Sequence, residues 1–180
     1  MEREKLVVVG AGMASGRVLE HLTGAGKPFD ITLFNAEPRG NYNRLMLSPV
    51  LAGDKTYQEI ITHDDHWYDS RGIATRFGER VTAIDTRLKT VHGEKGPFDY
   101  DKLIIATGSN PFISPLPGHD LDGVIAYRDL EDTQQMIGLP PGARAVVIGG
   151  GLLGLEAAAG MAARGIRVDV VHIMGHLMER

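Results

Sequence analysis

At 180 residues the chain has room for one domain and part of a second, and 43% apolar with 23% charged residues is ordinary for a packed core. A net charge of −4 supplies no basic field, so neither nucleic acid nor a membrane surface is an expected partner. Cysteine is absent, which excludes disulfides, thiolate metal ligands and a redox-active thiol pair from these residues.

The opening Met1-Glu2-Arg3-Glu4-Lys5 leads into too short an apolar run for a secretory leader. No run approaches the roughly 18 apolar residues of a membrane span, and the expected location is cytoplasmic. Residues 6–9 form a continuous apolar run closed by Gly10, the pattern of a strand buried on both faces in a parallel sheet. From Met13, apolar residues recur at Val18, Leu22 and Ala25 with helical spacing and end in Gly24-Ala25-Gly26. Residues 31–34 read as a second buried strand. Strand, glycine turn, helix and strand within about 30 residues make a right-handed βαβ unit.

Residues 37–55 are irregular, punctuated around Tyr42-Asn43-Arg44. A helix capped by Thr62, with Asp64 and Asp65 in its first turn, is expected to stop at Gly72. Residues 73–77, 81–85, 89–92 and Phe98, split by charged turns, predict an antiparallel meander. Residues 102–106 return to the buried-strand style and end at Thr107-Gly108. A stiff connection with three prolines follows over 111–118, then a short helix over 129–137.

Pro140-Pro141-Gly142 marks the expected domain boundary, because a new βαβ unit starts behind it: strand 145–148, helix 152–164, strand 168–173. The predicted fold class is therefore α/β. A Rossmann-like domain with an antiparallel β insertion occupies 1–139, and the first βαβ of a second domain occupies 143–180. One βαβ unit cannot cover both faces of its own sheet. The expectation is the front portion of a longer protein, with a completing partner as the alternative.

The two glycine turns carry the chemistry. In Val9-Gly10-Ala11-Gly12-Met13-Ala14-Ser15-Gly16, the first glycine permits a tight bend and the second lets the backbone approach a pyrophosphate. The third position, where helix and strand pack closely, is Ser15, a small residue beside Gly16. The second copy, Gly149-Gly150-Gly151-Leu152-Leu153-Gly154, keeps all three glycines. A helix start adds unpaired N–H groups and about half a positive charge, which suits a diphosphate. Past the first turn, Glu37 is the carboxylate in reach of a ribose, with Asn35 able to share the task. The second strand ends in Val170-Val171-His172 without a carboxylate, so NADH and NADPH are not separated.

Together, residues 10–16, Tyr42-Asn43-Arg44, Ala106-Thr107-Gly108, Tyr127-Arg128 and residues 149–156 resemble the two-dinucleotide flavoprotein family. Glu37-Pro38-Arg39, "KLIIATGSNPF", "YRDLEDT" and the closing "VVHIMGHLMER" are most similar to its assimilatory nitrite reductase branch, at the N-terminal flavin module of the large subunit. The resemblance implies FAD at the first turn and NAD(P)H at the second. It implies that Gly10, Gly12, Met13 and Ala14 contact the FAD diphosphate and Glu37 its ribose. Arg44 and Ser48 would line the flavin side of the loop, Val81 would meet the adenine through its backbone, and Thr107, Gly108 and Arg128 would close the site. Gly149, Gly151, Leu152 and Gly154 would cradle the pyridine nucleotide, with Glu156 just inside the helix.

Hydride would pass from nicotinamide to flavin, so no catalytic side chain is named. The acceptor implied is an iron–sulfur or siroheme domain, or a small redox protein, and a homodimer of the full-length protein is allowed. A rubredoxin or ferredoxin reductase and a non-catalytic dinucleotide-binding fragment are the competing readings. No metal site is expected. His63 and His66 read either as metal ligands or as an exposed helix start, and His172, Met174, His176 and Met178 either as ligands or as a strand end packed by further sequence. Trp67 and Tyr68 read as anchors of their helix.

Overall fold

Leu6 and Val8 point to one face of β1 (Glu4–Val9) and Val7 and Val9 to the other, and all four are buried. That is what an unbroken apolar run requires, and each such side chain contributes about 1.5–3 kcal/mol by leaving water. The computed structural model describes residues 3–26 and 28–178, so Met1 and Glu2 of the opening and Glu179 and Arg180 of the closing motif lie outside the described residues. By contact density the chain forms two compact units, residues 1–43 with 61–109 and residues 44–60 with 110–180.

In the first unit, β1 turns at Gly10 into α1 (Met13–Gly24), and β2 (Phe29–Asn35) returns parallel to β1 with Val9 opposite Phe34. The chain crosses to the second unit for α2 (Leu47–Ala52) and α3 (Tyr57–Ile60), then comes back as α4 (Asp65–Asp69). β3 (Ile73–Phe77) runs parallel to β2. Next come β4 (Val81–Asp85), β5 (Thr90–Gly93) and β6 (Gly96–Asp99), an antiparallel three-stranded sheet. β7 (Lys102–Ile105) then pairs parallel with β1, which gives a sheet of order β3-β2-β1-β7. Helices cover one face, with Leu19 and Tyr68 packed on Leu6, Val8, Ile31 and Leu33. The antiparallel sheet covers the other through Val91, Phe98 and Val81 on Val7, Val9 and Phe34.

The second unit holds α2 and α3, α5 (Leu130–Ile137), β8 (Arg144–Ile148), α6 (Leu152–Ala163) and β9 (Arg167–Val171), with β8 and β9 parallel. Its core joins Leu51, Met136, Ala157, Met161 and Ile166 to Val147 and Val168 on the covered side of the two-stranded sheet. On the other side Val146 and Ile148 are 61% and 67% exposed, as expected of a sheet with helices on one face alone.

Several expectations change. Residues 73–77 do not open the meander: β3 belongs to the parallel sheet, because Ile73 completes the apolar layer under α1 and α4. Asp64, not Thr62, caps α4, its carboxylate accepting from Trp67 N–H at 2.8 Å, and the helix ends at Asp69 before Gly72. Thr62 instead donates its N–H to the Asn41 carbonyl. The irregular 37–55 stretch contains a 3-10 turn (Arg44–Met46) and α2, since Pro49 in a first turn loses no helical bond and Gly53 closes the helix at φ 92°. β7 is an edge strand rather than a fully buried one, with Ile105 61% exposed. Finally, residues 44–60 and 110–139 pack with the second βαβ unit, so the compact units do not follow the boundary at 140–142.

Candidate functional site

At the first turn Gly10 has φ 102°, and its N–H donates to the Phe34 carbonyl at 2.7 Å. A Cβ there would strike the Ala106 carbonyl group, 2.8 Å from its carbon, and the Thr107 Cα at 2.9 Å. The position demands glycine for the fold itself. Gly12 is different: its backbone is extended, and a Cβ built on it meets nothing within 4 Å. Met13 and Ala14 follow, both exposed at the start of α1. The first N–H groups of that helix have no intrahelical acceptor and face this open space, a geometry that fits an anionic diphosphate.

Ser15 is fully buried in the packing position and donates its hydroxyl to the Gly12 carbonyl at 2.9 Å, so the serine is absorbed as an internal brace. Gly16 relieves the crowding, since a Cβ there would lie 3.0 Å from both Asn41 Nδ2 and His63 Cε1. Asn41, which sequence reasoning missed, is 1% exposed and donates to the same Gly12 carbonyl at 2.6 Å; its own N–H donates to Tyr68 Oη at 2.9 Å. The only signal for it was an asparagine in a turn-rich stretch, which many loop residues share.

Asn35 braces the turn. Its Oδ1 accepts from Ala11 N–H at 3.3 Å and its Nδ2 donates to the Arg39 carbonyl at 2.7 Å, so both ends of the amide are engaged. Glu37 remains half-buried, with Oε2 accepting from Tyr42 Oη at 2.9 Å. Val81 sits at the start of β4 opposite Gly93, and Thr107 and Gly108 are exposed directly after β7, beside Gly10. His63 is buried rather than at an exposed helix start. It is 5% exposed, 3.0 Å from Glu20 Oε1, and lies against the Trp67 ring; His66 is exposed. Arg17 and then His63 hold the Glu20 carboxyl below its ordinary range. Among the described residues no cluster of three metal-binding side chains occurs, at His63 or at His172–His176. Tyr68 and Trp67 do anchor α4.

The second turn repeats the first. Gly149 has φ 121° and its N–H donates to the Val171 carbonyl at 2.9 Å. Gly151 is extended with open space ahead of it, and Leu152 is exposed at the helix start. A Cβ at Gly154 would strike the Gly149 carbonyl, so this copy needs its third glycine. Even the brace recurs: Gly150 N–H donates to His172 Nδ1 at 3.1 Å, as Ala11 does to Asn35. In register, Val171 stands where Phe34 stands, and His172 where Asn35 stands.

Arg44, Ser48, Arg128 and Glu156 all fall in the second unit. Arg44 Nη1 donates to the Arg128 carbonyl at 3.1 Å, and Ser48 Oγ donates to Glu156 Oε2 at 2.6 Å. Tyr127 Oη in turn lies 3.1 Å from Ser48 Oγ. Burial, followed by the Glu156 charge, pushes the Tyr127 hydroxyl above the ordinary tyrosine range, against a hydrogen bond with Ser48 that pulls it down.

The family model for pyridine nucleotide-disulphide oxidoreductases matches residues 4–180. The chain belongs to this family. Within the pyridine nucleotide-disulphide oxidoreductases, it is 46% identical over its whole length to the nitrite reductase [NAD(P)H] of Bacillus subtilis, covering 23% of that protein. It is 41% identical, again over its whole length, to the assimilatory nitrate reductase electron transfer subunit of the same organism, covering 24%. The chain thus spans about a quarter of the length of these curated relatives. Its fold superimposes on NADH:rubredoxin oxidoreductase from Clostridium acetobutylicum with a TM-score of 0.82 at 29% identity, covering 99% of this chain and 47% of that one. A member of a family with disulphide in its description, this chain nevertheless contains no cysteine. No helix among the described residues is long and apolar enough to cross a membrane.

Proposed function

We propose that residues 1–180 are the flavin- and pyridine-nucleotide-binding portion of an NAD(P)H-dependent oxidoreductase that feeds electrons to nitrite reduction. The observation that carries this reading is the duplicated turn. Gly10 and Gly149 make matching bends, and Gly12 and Gly151 leave matching open space ahead of a helix start. Two such sites in one chain call for two dinucleotides, and the relatedness to nitrite reductase [NAD(P)H] supports FAD at the first and NAD(P)H at the second. The coenzymes supply hydride and electron chemistry when bound; the chain binds and orients them.

In this reading Gly10, Gly12, Met13 and Ala14 hold the flavin diphosphate, Glu37 its ribose, and Val81, Thr107 and Gly108 the remainder. Arg44, Ser48 and Arg128 serve the flavin loop, and Gly149, Gly151, Leu152, Gly154 and Glu156 serve the pyridine nucleotide. Residues 1–139 and 143–180 are the corresponding functional segments. With no thiol to accept electrons, the outlet is a metal-centred domain, and a cytoplasmic location and a homodimer complete the proposal. The likeness to NADH:rubredoxin oxidoreductase favours a second reading, in which a small iron–sulfur carrier is the acceptor.

The test is anaerobic reconstitution with FAD followed by NADH or NADPH. Bound flavin that bleaches within turnover time and is reoxidised by nitrite in the whole protein is the expected outcome. Bound flavin that stays oxidised points to a binding module without turnover, and absence of flavin uptake at high FAD overturns the proposal.

A further inference from the structure

Glu156, Gly160 and Arg164 stand at i, i+4 and i+8, one stripe down α6 and the residue that closes it, and each of the three meets α2. Arg164 caps the carbonyl end of α2, its Nη2 donating to the Val50 carbonyl at 3.2 Å and its Nε to the Leu51 carbonyl. At Gly160 a Cβ would lie 2.7 Å from Leu51 Cγ, so the missing side chain admits the fully buried Leu51. Those two contacts fasten the helices by shape and by capping. The third joins a serine to a carboxylate, and fastening does not require it.

Its hydrogen bonds have a fixed direction. A carboxylate only accepts, so the single Ser48 proton goes to Glu156 Oε2, and Tyr127 must then donate to Ser48 Oγ. A lone serine hydroxyl is free to rotate among acceptors; the Tyr127 donor occupies one of its two lone pairs and so favours the rotamer whose proton points at Glu156. The burial that keeps the Tyr127 hydroxyl protonated keeps the chain intact well into the alkaline range. Among the described contacts Oε2 is the Glu156 oxygen in use, which leaves Oε1 of this half-buried residue, near the head of α6, to accept from a donor on a bound molecule.

We propose that Tyr127 and Ser48 are positioning residues which hold the Glu156 carboxylate in one orientation for a hydrogen-bond donor of the pyridine coenzyme. This rests on the reading of the second turn as the NAD(P)H site. The measurement is calorimetric titration of the whole FAD-loaded protein with NADPH and with NADH. Ser48→Ala and Tyr127→Phe each weaken affinity about three- to tenfold, the range of one hydrogen bond, with melting temperature held and the flavin site saturated with added FAD before each titration. Ser48→Thr, which keeps the hydroxyl, restores it. In a Glu156→Ala background, Tyr127→Phe has no further effect, whereas a merely structural tyrosine would keep its full effect there.

Should Tyr127→Phe fail to fold, Ser48→Ala and its threonine rescue decide alone. Coenzyme affinity indifferent to these substitutions, or an undiminished effect in the Glu156→Ala background, overturns the proposal and leaves the second site standing. No coenzyme binding by the unaltered protein removes the reading of the second turn itself, and the proposal with it.

Discussion

Gly10 and Gly12, two positions apart, do different work, and substitution separates them. Gly10→Ala places a Cβ into the Ala106 carbonyl group at φ 102° and is expected to cost roughly 2–4 kcal/mol, read as a lowered urea midpoint. Gly12→Ala meets open space at an ordinary backbone conformation, so stability should stay within about 0.5 kcal/mol while FAD uptake falls, because the methyl would occupy the place proposed for the diphosphate. Equal loss of stability at both positions would contradict the division of roles. Tyr127 supplies a second residue-scale expectation. Its hydroxyl is held above the usual value of 10.0, chiefly by burial, so above that pH the unfolded chain releases a proton that the folded one keeps. Stability is therefore unaffected below about pH 10 and falls above it, and Tyr127→Phe flattens this alkaline limb of a denaturation series. Residues such as Asn35, Asn41 and His172 were not legible as turn braces, because their partners are backbone groups brought close only by folding.

At the scale of elements, caps and sheet membership decide what forms. α5 begins with a reciprocal box: Asp129 accepts from Asp132 N–H at 3.0 Å while Asp132 accepts from Asp129 N–H at 3.2 Å. Burial foremost keeps the Asp132 carboxyl above its ordinary range. Asp129→Ala removes half of the box and is expected to cost about 1 kcal/mol, measurable as a shift in the urea midpoint, with Asp129→Ser recovering most of it. The helix over 129–137 was readable because an acidic cap and its apolar face sit within eight neighbouring residues. β3 was not, because a short run such as Ile73-Ala74-Thr75-Arg76-Phe77 suits either sheet. Pairing with β2, some forty residues earlier in the chain, selects one.

For the molecule as a whole, the uncovered side of β8 and β9 is the feature with a consequence in solution. Val146 and Ile148 on β8 and Val171 on β9 present apolar surface on the same face as Arg144, Arg167 and Asp169, with Arg144 and Asp169 paired at 3.5 Å. Such a face binds hydrophobic dyes and promotes self-association. Val146→Lys with Ile148→Lys should lower dye fluorescence and shift sedimentation toward the monomer, while flavin uptake at the first turn is unchanged; no change in dye signal would show that another surface is responsible.

Both βαβ units, both glycine turns and the α/β class were determined by the sequence by itself. Their causes are local: an unbroken apolar run along a strand, helical spacing, and a left-handed bend that only glycine makes cheaply. The tertiary structure alone decided which sheet takes β3, that α2 exists and meets the Glu156–Gly160–Arg164 stripe, and that residues 44–60 and 110–139 pack with the second βαβ unit. Those outcomes depend on contacts between residues some forty to more than a hundred positions apart, such as Ile31 with Ile73 and Ser48 with Glu156, and a one-dimensional pattern carries no record of which distant surfaces will meet.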